Sequence, residues 1–493
     1  MQYLENQHKV KVCSRCGVKY KLDNFYYQSR ANNVLRSECK DCSKGYVTRR
    51  RQLRKINLAG DSNEHCQQLL DKIKSKKAML GIIGLGYIGL PLVAEFCKAG
   101  FHVTGFDISR EKVESLNAGK SCIRQIDINQ IPMGMFRATG DFKLLGKMDC
   151  ILITVPTPLG KNREPDMSYI FETVRSISRT LKKGQLIVLE STTCPGTTNG
   201  EVRDILESEG LKAGEDFFLA YSPARGDPSN KDYNIRTTPK VVGGFTNKCL
   251  VAADTLYNSI VGRTIPVSST SVAESSKLLE NTYQAVNIAL VNEMKMIFDR
   301  MGINIWEVIE AARTKPFGFQ AFYPGPGLGG HCIPVDPYYL AWKAREYGYT
   351  TKFIELAGDI NTLMDEYVVD KVIKALNDHG KHVKGSKIMI LGLAYKANAD
   401  DDQESPSYRL MEKLEELGGV VDYNDPHISV IRSNGEYSKF SGRKSVPLSK
   451  NYDLILIATA HDEYKKIDLR KLNIPIVDTR RIIKENYRKL YLA

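Results

Sequence analysis

The sequence predicts an α/β protein built from two doubly wound parallel-sheet units joined by a long central helix, with a small metal-binding module at the N-terminus. Three observations predict it. Short apolar strands alternate with helical stretches twice, over residues 79–268 and 375–493, the pattern of parallel sheets covered by helices. Between them lies one long apolar-periodic stretch, from Ala273 to about Arg300. Ahead of all this stand two Cys-x2-Cys pairs in a basic segment. Both doubly wound units are expected to be Rossmann-like.

Composition bounds the class. A chain of 493 residues holds about three domains. No run of 18 apolar residues is present, so no transmembrane helix is expected. The first residues lack the apolar core of a secretory signal, and 11 cysteines, an odd number, do not suggest a disulfide scaffold. A reducing cytoplasm fits these features. The net charge of +13 is uneven: residues 1–79 carry 18 Lys/Arg against 7 Asp/Glu, so the other 414 residues are nearly neutral.

Residues 1–55 read as a zinc-ribbon-like basic module. Cys13, Cys16, Cys39 and Cys42 form two Cys-x2-Cys knuckles with 22 residues between them, and two knuckles supply four thiolates to one tetrahedral Zn²⁺. The alternative is four unpaired thiols. Metal would provide much of the folding energy of so short a segment. Arg49, Arg50, Arg51, Arg54 and Lys55 follow, either a phosphate-binding tail for nucleic acid or a solvated basic helix. Residues 56–78 read as a linker.

Residues 79–268 open on the strand Met79–Ile83, the turn Gly84-Leu85-Gly86-Tyr87-Ile88-Gly89, the helix Leu90–Ala99 and a second strand ending at Asp107. Strand, GxGxxG, helix, strand and acid, with the acid 23 residues after the first glycine, form a dinucleotide fingerprint. Gly84 makes the turn, Gly86 admits a pyrophosphate to the backbone, and Gly89 lets the helix pack close. Tyr87 and Ile88 share that turn. Asp107 suits ribose hydroxyls and favours NAD⁺ over NADP⁺, with Arg110 as a nearby cation that qualifies the preference. Later strands end in Pro156-Thr157-Pro158 and in Ser191-Thr192-Thr193. Those hydroxyls either cap the next helix or serve a ligand at the strand ends.

Residues 269–374 form the central helical unit. Lys277 and Asn281 are spaced i,i+4 and share a face, one turn after Glu274. So apolar a helix is expected to be buried between domains and against a second copy of the chain, at least as a homodimer. The stretch Gly325-Pro326-Gly327-Leu328-Gly329-Gly330-His331-Cys332-Ile333-Pro334-Val335-Asp336 joins glycines, one cysteine and an acid four residues on. The glycines allow close backbone approach to a ligand, and the thiol suits nucleophilic addition to a carbonyl. Asp336 suits proton transfer. A tight turn with an inert half-buried thiol is the plain alternative.

Residues 375–493 repeat the α/β pattern without GxGxxG. Lys387–Leu391 runs into Gly392-Leu393-Ala394-Tyr395-Lys396. Lys396 at a strand end is a candidate phosphate ligand, or a surface lysine. His461, at another strand end, has no partner that the sequence identifies.

In order along the chain, Gly84–Pro91, Val155–Leu159, Glu190–Thr198, Lys277–Tyr283, Lys315–Phe319, Gly325–Pro337 and Gly392–Lys396 resemble the UDP-glucose/GDP-mannose dehydrogenase family. Within it they look closest to the UDP-N-acetylhexosamine 6-dehydrogenase branch. The resemblance covers about residues 78–485. It implies oxidation of a sugar C6 alcohol to a carboxylate with two NAD⁺. By this likeness Cys332 would carry a thiohemiacetal and then a thioester. Lys277 would stabilise oxyanion charge, Asn281 and Thr193 would position the oxygen and a water, and Asp336 would assist proton transfer. The cofactor would meet Gly84, Gly86, Tyr87, Ile88, Gly89, Asp107, Arg110, Pro156, Thr157 and Thr193. The UDP-sugar would meet Arg225, Lys277, Asn281, Phe317, Tyr323, Gly325, Gly329 and Lys396. The branch usually has glutamate where this chain has Ala224, which puts thioester hydrolysis in question. It usually has arginine where this chain has Gln403, which puts substrate affinity in question. Two other readings stand beside the active dehydrogenase. One is a body that senses NAD or a nucleotide sugar while its zinc module binds nucleic acid or protein. The other is an enzyme that stops partway.

Overall fold

The computed structural model describes residues 64–493, apart from 122, 124–127, 161, 227–232, 433–434 and 485–486, and the backbones of four short strands before them. Those strands are β1 (Val10–Val12), β2 (Lys19–Lys21), β3 (Phe25–Ser29) and β4 (Val34–Cys39), with β1 antiparallel to β2 and β3 to β4. Cys13, Cys16 and Cys42 and the basic run from Arg49 to Lys55 lie outside the described residues, and only the backbone of Cys39 lies within them.

The first large sheet has eight strands: β5 (Leu80–Ile83), β6 (Val103–Phe106), β7 (Phe136–Thr139), β8 (Cys150–Ile153), β9 (Leu186–Leu189), β10 (Phe218–Tyr221), β11 (Lys240–Gly244) and β12 (Thr264–Pro266). Their order is β12-β11-β10-β9-β8-β5-β6-β7, parallel except between β10 and β11. The four residues of each of β5, β6, β8, β9 and β10 are all buried. That is the signature of strands covered on both faces. The strand order reverses between β5 and β8, so a crevice opens at their carboxyl ends.

The central helix runs Thr270–Arg300, three residues longer at its start than the periodicity suggests, with Ser269 Oγ capping Val272 N. Its buried face carries Ala273, Glu274, Lys277, Leu278, Asn281 and Ala285. Three lysine, glutamate or asparagine side chains on an apolar face are costly unless each has a partner. The helix Phe353–Asn377 packs along it, with Asn292 Nδ2 donating to Asn361 Oδ1 at 2.9 Å.

The second sheet has β13 (Lys387–Leu391), β14 (Val420–Asn424), β15 (Leu454–Ile457), β16 (Ile476–Asp478) and β17 (Leu490–Leu492), all parallel in the order β14-β13-β15-β16-β17. Separate apolar clusters fill the two sheets, one around Phe96, Phe218 and Tyr257 and another around Tyr408, Tyr423 and Phe440. Among the described residues, no helix is long and apolar enough to cross a membrane.

Candidate active site

One cavity of about 1890 Å³ reaches from the Gly84 turn, past Cys332, to the carboxyl ends of β13 and β16. Elements of both sheets and the central helix line it.

At its first end the glycine turn is built as a nucleotide cradle. Gly84 has φ +91°, and a Cβ there would lie 2.7 Å from the Thr154 carbonyl oxygen. A Cβ on Gly89 would collide with the Gly84 carbonyl oxygen, so only glycine lets the helix Gly89–Lys98 start this close. Nothing lies within 4 Å of a Cβ on Gly86, which borders the cavity. No neighbour in the chain requires glycine at that position, whereas a diphosphate lying on the backbone does. Asp107 Oδ2 accepts from Leu85 N at 3.0 Å and from Lys112 Nζ at 2.9 Å, and Oδ1 accepts from Ser109 N at 3.0 Å. Burial pushes this carboxyl up, but the hydrogen bonds from Lys112, Ser109 and Leu85 outweigh it and hold its pKa below the ordinary aspartate value. Tyr87, Ile88, Pro156 and Thr157 line the same end. Arg110 does not: it turns outward to Glu114 at 2.8 Å, and Lys112 is the cation on Asp107. These residues fit a bound dinucleotide, with Asp107 placed for ribose hydroxyls.

At the centre, the i,i+4 spacing on the helix and the cysteine loop converge. Lys277 Nζ lies 3.6 Å from Cys332 Sγ, 3.2 Å from the Ala224 carbonyl oxygen and 4.0 Å from Asp336 Oδ2. Asn281 Nδ2 donates a short hydrogen bond to the same Asp336 oxygen, and Thr192 Oγ1 donates to it at 3.4 Å. Asp336 opens the helix Asp336–Glu346, and its N–H donates to the Cys332 carbonyl at 2.7 Å, which fixes thiol and acid relative to each other. Burial raises the Asp336 pKa to about 6, against the opposing pull of Lys277, Asn281 and Thr192. Burial also pushes the Cys332 thiol up, although Lys277 favours the thiolate. For Lys277 burial favours loss of the proton, but Cys332 and Asp336 prevail and hold it as the ammonium. The cluster can present a thiol beside a permanent cation, with a carboxylate poised to take a proton near neutrality.

Two expected residues sit differently. Thr193 is fully buried beside the cavity rather than in its wall, and its hydroxyl has no hydrogen-bond partner among the described residues. Its neighbour Thr192 is the hydroxyl that reaches Asp336. Phe317 is 70 % exposed and outside the cavity wall. Tyr323, Gly325, Gly329, Lys396 and Arg225 do line it. Arg225 is held by a short ion pair to Glu280, one residue before Asn281. Glu274 faces away from the thiol and accepts from Gly196 N at 2.6 Å and Thr198 N at 2.9 Å, pinning the turn after β9.

Several groups escape sequence reasoning. Glu190 borders the cavity and accepts from Lys240 Nζ at 2.6 Å and from Tyr257. His331, next to the thiol, bonds Asp401 of the second sheet's unit at 3.0 Å, with the Tyr87 ring 5.8 Å away. Arg480 and Arg409 line the far end. Only the Asp-Thr-Arg at the end of β16, a polar strand end, could have flagged Arg480. Nothing local flags Lys240.

A dinucleotide cradle that opens onto a thiol, an ammonium and a carboxylate defines a nicotinamide-dependent dehydrogenase, with the second sheet closing the far end. The sequence matches the NAD binding domain of the UDP-glucose/GDP-mannose dehydrogenase family over residues 78–261, its central domain over 271–363 and its UDP binding domain over 389–485. The chain belongs to that family. A UDP-N-acetyl-D-glucosamine 6-dehydrogenase of Pseudomonas aeruginosa is 36% identical over 403 residues, 80% of this chain and 94% of that protein. A UDP-N-acetyl-D-mannosamine dehydrogenase of Pyrococcus horikoshii is 32% identical over 417 residues, 82% of this chain and 96% of its own. The solved structure of the UDP-D-ManNAc dehydrogenase from Pyrococcus horikoshii superposes with a TM-score of 0.76, covering 84% of this chain and 98% of that one. The chain is an NAD-dependent oxidoreductase.

Proposed function

We propose that the protein oxidises the C6 alcohol of a UDP-N-acetylhexosamine to the uronic acid in two steps on Cys332. The placement of Lys277 between Cys332 and Asp336, inside the cavity that the dinucleotide cradle opens onto, is the observation that carries this reading. The names of the relatives favour an N-acetylhexosamine over glucose. NAD⁺, which the Gly84–Gly89 turn and Asp107 would hold, would supply the hydride acceptor for each step. In the first, Asp336 takes the hydroxyl proton and Lys277 steadies the developing oxygen charge, leaving an aldehyde. The Cys332 thiolate then adds to the aldehyde carbon, and the oxygen, held by Lys277 and Asn281, becomes a thiohemiacetal. Asp336 returns its proton to that oxygen, and loss of a second hydride, with the hydroxyl proton again passing to Asp336, leaves a thioester. Water attacks it, the C–S bond breaks, and the carboxylate departs as Cys332 recovers its proton. Thr192, whose hydroxyl lines the cavity and reaches Asp336, would hold that water.

Position 224 offers only a backbone carbonyl to Lys277. Hydrolysis therefore rests on Asp336 as the carboxylate bonded to the Lys277–Asn281 face. The test is NADH formed per sugar consumed, with UDP-N-acetylglucosamine, UDP-N-acetylgalactosamine, UDP-N-acetylmannosamine and UDP-glucose. Two NADH and a uronic acid from an N-acetylhexosamine are expected. One NADH per sugar would mean that the reaction stops partway, and none from any sugar would refute the reading.

The enzyme works as at least a homodimer in this reading. Val272, Leu279, Tyr283 and Leu290 of the central helix are exposed, Leu279 by 68 %. So much apolar surface on one helix supports a second copy there. Light scattering at micromolar concentration should give at least twice the chain mass, and a monomer would refute it.

A further inference from the structure

We propose that Arg409 is a ligand for the diphosphate of the nucleotide sugar, aimed into the cavity through a gap that Gly327 leaves open; this rests on the UDP-sugar reading above. The far end of the cavity, away from the dinucleotide cradle, carries the cations Lys396, Arg409 and Arg480. Arg409 lies in the second turn of the helix Pro406–Glu416. Its Nε sits 3.2 Å from Oδ2 of Asp365, a buried acid on the helix Phe353–Asn377. Asp365 is its only side-chain partner among the described residues. The carboxylate lies beside Nε, which makes no hydrogen bond of its own among the described residues, and the Nη edge is on the cavity side. There Nη2 faces the cysteine loop at Gly327, where an added Cβ would stand 3.2 Å from it and where φ is +124°. The loop is thus glycine at the point where this arginine passes beneath it.

A planar guanidinium with a carboxylate behind it has two parallel N–H donors, the geometry that matches two phosphate oxygens. Arg480 is placed the same way one step along the loop. Its Nε donates to the Ala458 carbonyl at 2.9 Å, and its Nη1 lies where a Cβ on Gly325 would fall. Of the other polar side chains on this wall, Gln403 is neutral, and Asp401 is occupied by His331 and by Gln403 N. Arg409 therefore supplies charge that no neighbour on its own helix provides to the cavity.

The test compares UDP, uridine and NAD⁺ binding by calorimetry on the full chain, with Arg409→Ala, Arg409→Lys and the parent. Arg409→Ala should weaken UDP at least tenfold and leave uridine and NAD⁺ within about twofold. Arg409→Lys should recover part of the loss, since it keeps the charge and loses the fork. In turnover the loss should appear in KM for the UDP-sugar and much less in kcat. Equal UDP affinity in parent and Arg409→Ala would overturn the assignment, as would equal losses for UDP and uridine, the mark of a collapsed pocket. A parent that binds no UDP would instead overturn the UDP-sugar reading itself.

Discussion

The two sheets repeat one device and use it differently. Each ends its first strand in a glycine of positive φ, Gly84 at +91° and Gly392 at +92°, and each places an aspartate at the end of the next strand in space, Asp107 after β6 and Asp425 after β14. Both acids accept a backbone N–H from the residue after that glycine, Leu85 at 3.0 Å and Leu393 at 2.7 Å. There the likeness ends. Asp107 keeps an edge on the cavity beside the charge of Lys112. Asp425 is sealed: Ala394 N, His427 N, Ile428 N and His461 Nε2 occupy its remaining positions. His461 is fully buried, and its Nδ1 accepts from Asn398 N, so Nε2 carries the proton given to Asp425. The same acid at the same corner borders the cavity in one sheet and is a structural rivet in the other. What decides is whether the protein itself satisfies all the carboxylate's lone pairs.

The largest expected effect lies between the sheets. Cys332→Ala should lower turnover by about a thousandfold or more while NAD⁺ and UDP still bind. Loss of either ligand together with turnover would show that the thiol is structural. Next, Gly89→Ala drives a Cβ into the Gly84 carbonyl and should weaken NAD⁺ by about a hundredfold with UDP affinity retained, read by titrating each ligand. Asp425→Asn should cost about 3 kcal/mol in denaturant unfolding with KM for NAD⁺ unchanged. Asp107→Asn should raise KM for NAD⁺ about tenfold and narrow the gap to NADP⁺, with stability little altered. If these last two variants exchange phenotypes, the contrast between ligand site and rivet is wrong.

The smallest effect is one of pH. Asp336 must be ionised to take a proton, and its pKa is raised to about 6, so kcat should fall as the pH drops through about 6. The same shift has the opposite sign for stability. An aspartate raised above its unfolded value of about 3.9 makes the fold less stable as the pH rises between those values. Asp107 and Asp425 are both held low, so their stabilising contribution is present above about 3.9 and is lost as the pH falls through their folded values. Acid unfolding should therefore begin at these corners while the catalytic acid resists it. Asp336→Asn should remove the acid limb of kcat that the parent shows in a pH–rate profile.

What was legible in the sequence was local. Strand, glycine turn, helix, strand and acid lie within 28 consecutive residues, Leu80 to Asp107, and the structure assembles them as the spacing requires. Lys277 and Asn281 share a face because helix periodicity makes them do so, and Asp336 lies four positions after Cys332. What was not legible depends on chain segments far apart. Glu190 meets Lys240 across 50 residues, His331 meets Asp401 across 70, and His461 finds Asp425 across 36. No periodicity links such pairs, since they follow from how sheets and loops pack. Side-chain direction was the other blind spot. Arg110 and Lys112 are both near Asp107 in sequence, but only the helix start selects Lys112. Thr192 and Thr193 alternate in direction, and the one that reaches Asp336 could not be told from its neighbour by chain position.

The cavity runs from the Gly84 turn to the ends of β13 and β16, with the thiol between them. A workpiece gripped at the middle and at one end leaves the other end open for the tool to be changed. On the proposed reading, a sugar bonded to Cys332 with its nucleotide beside β13 and β16 would leave the Gly84 turn free to release a spent cofactor and admit a fresh one. Exchange at one end would then not wait on the other, which is the condition the proposed double oxidation of a single carbon needs.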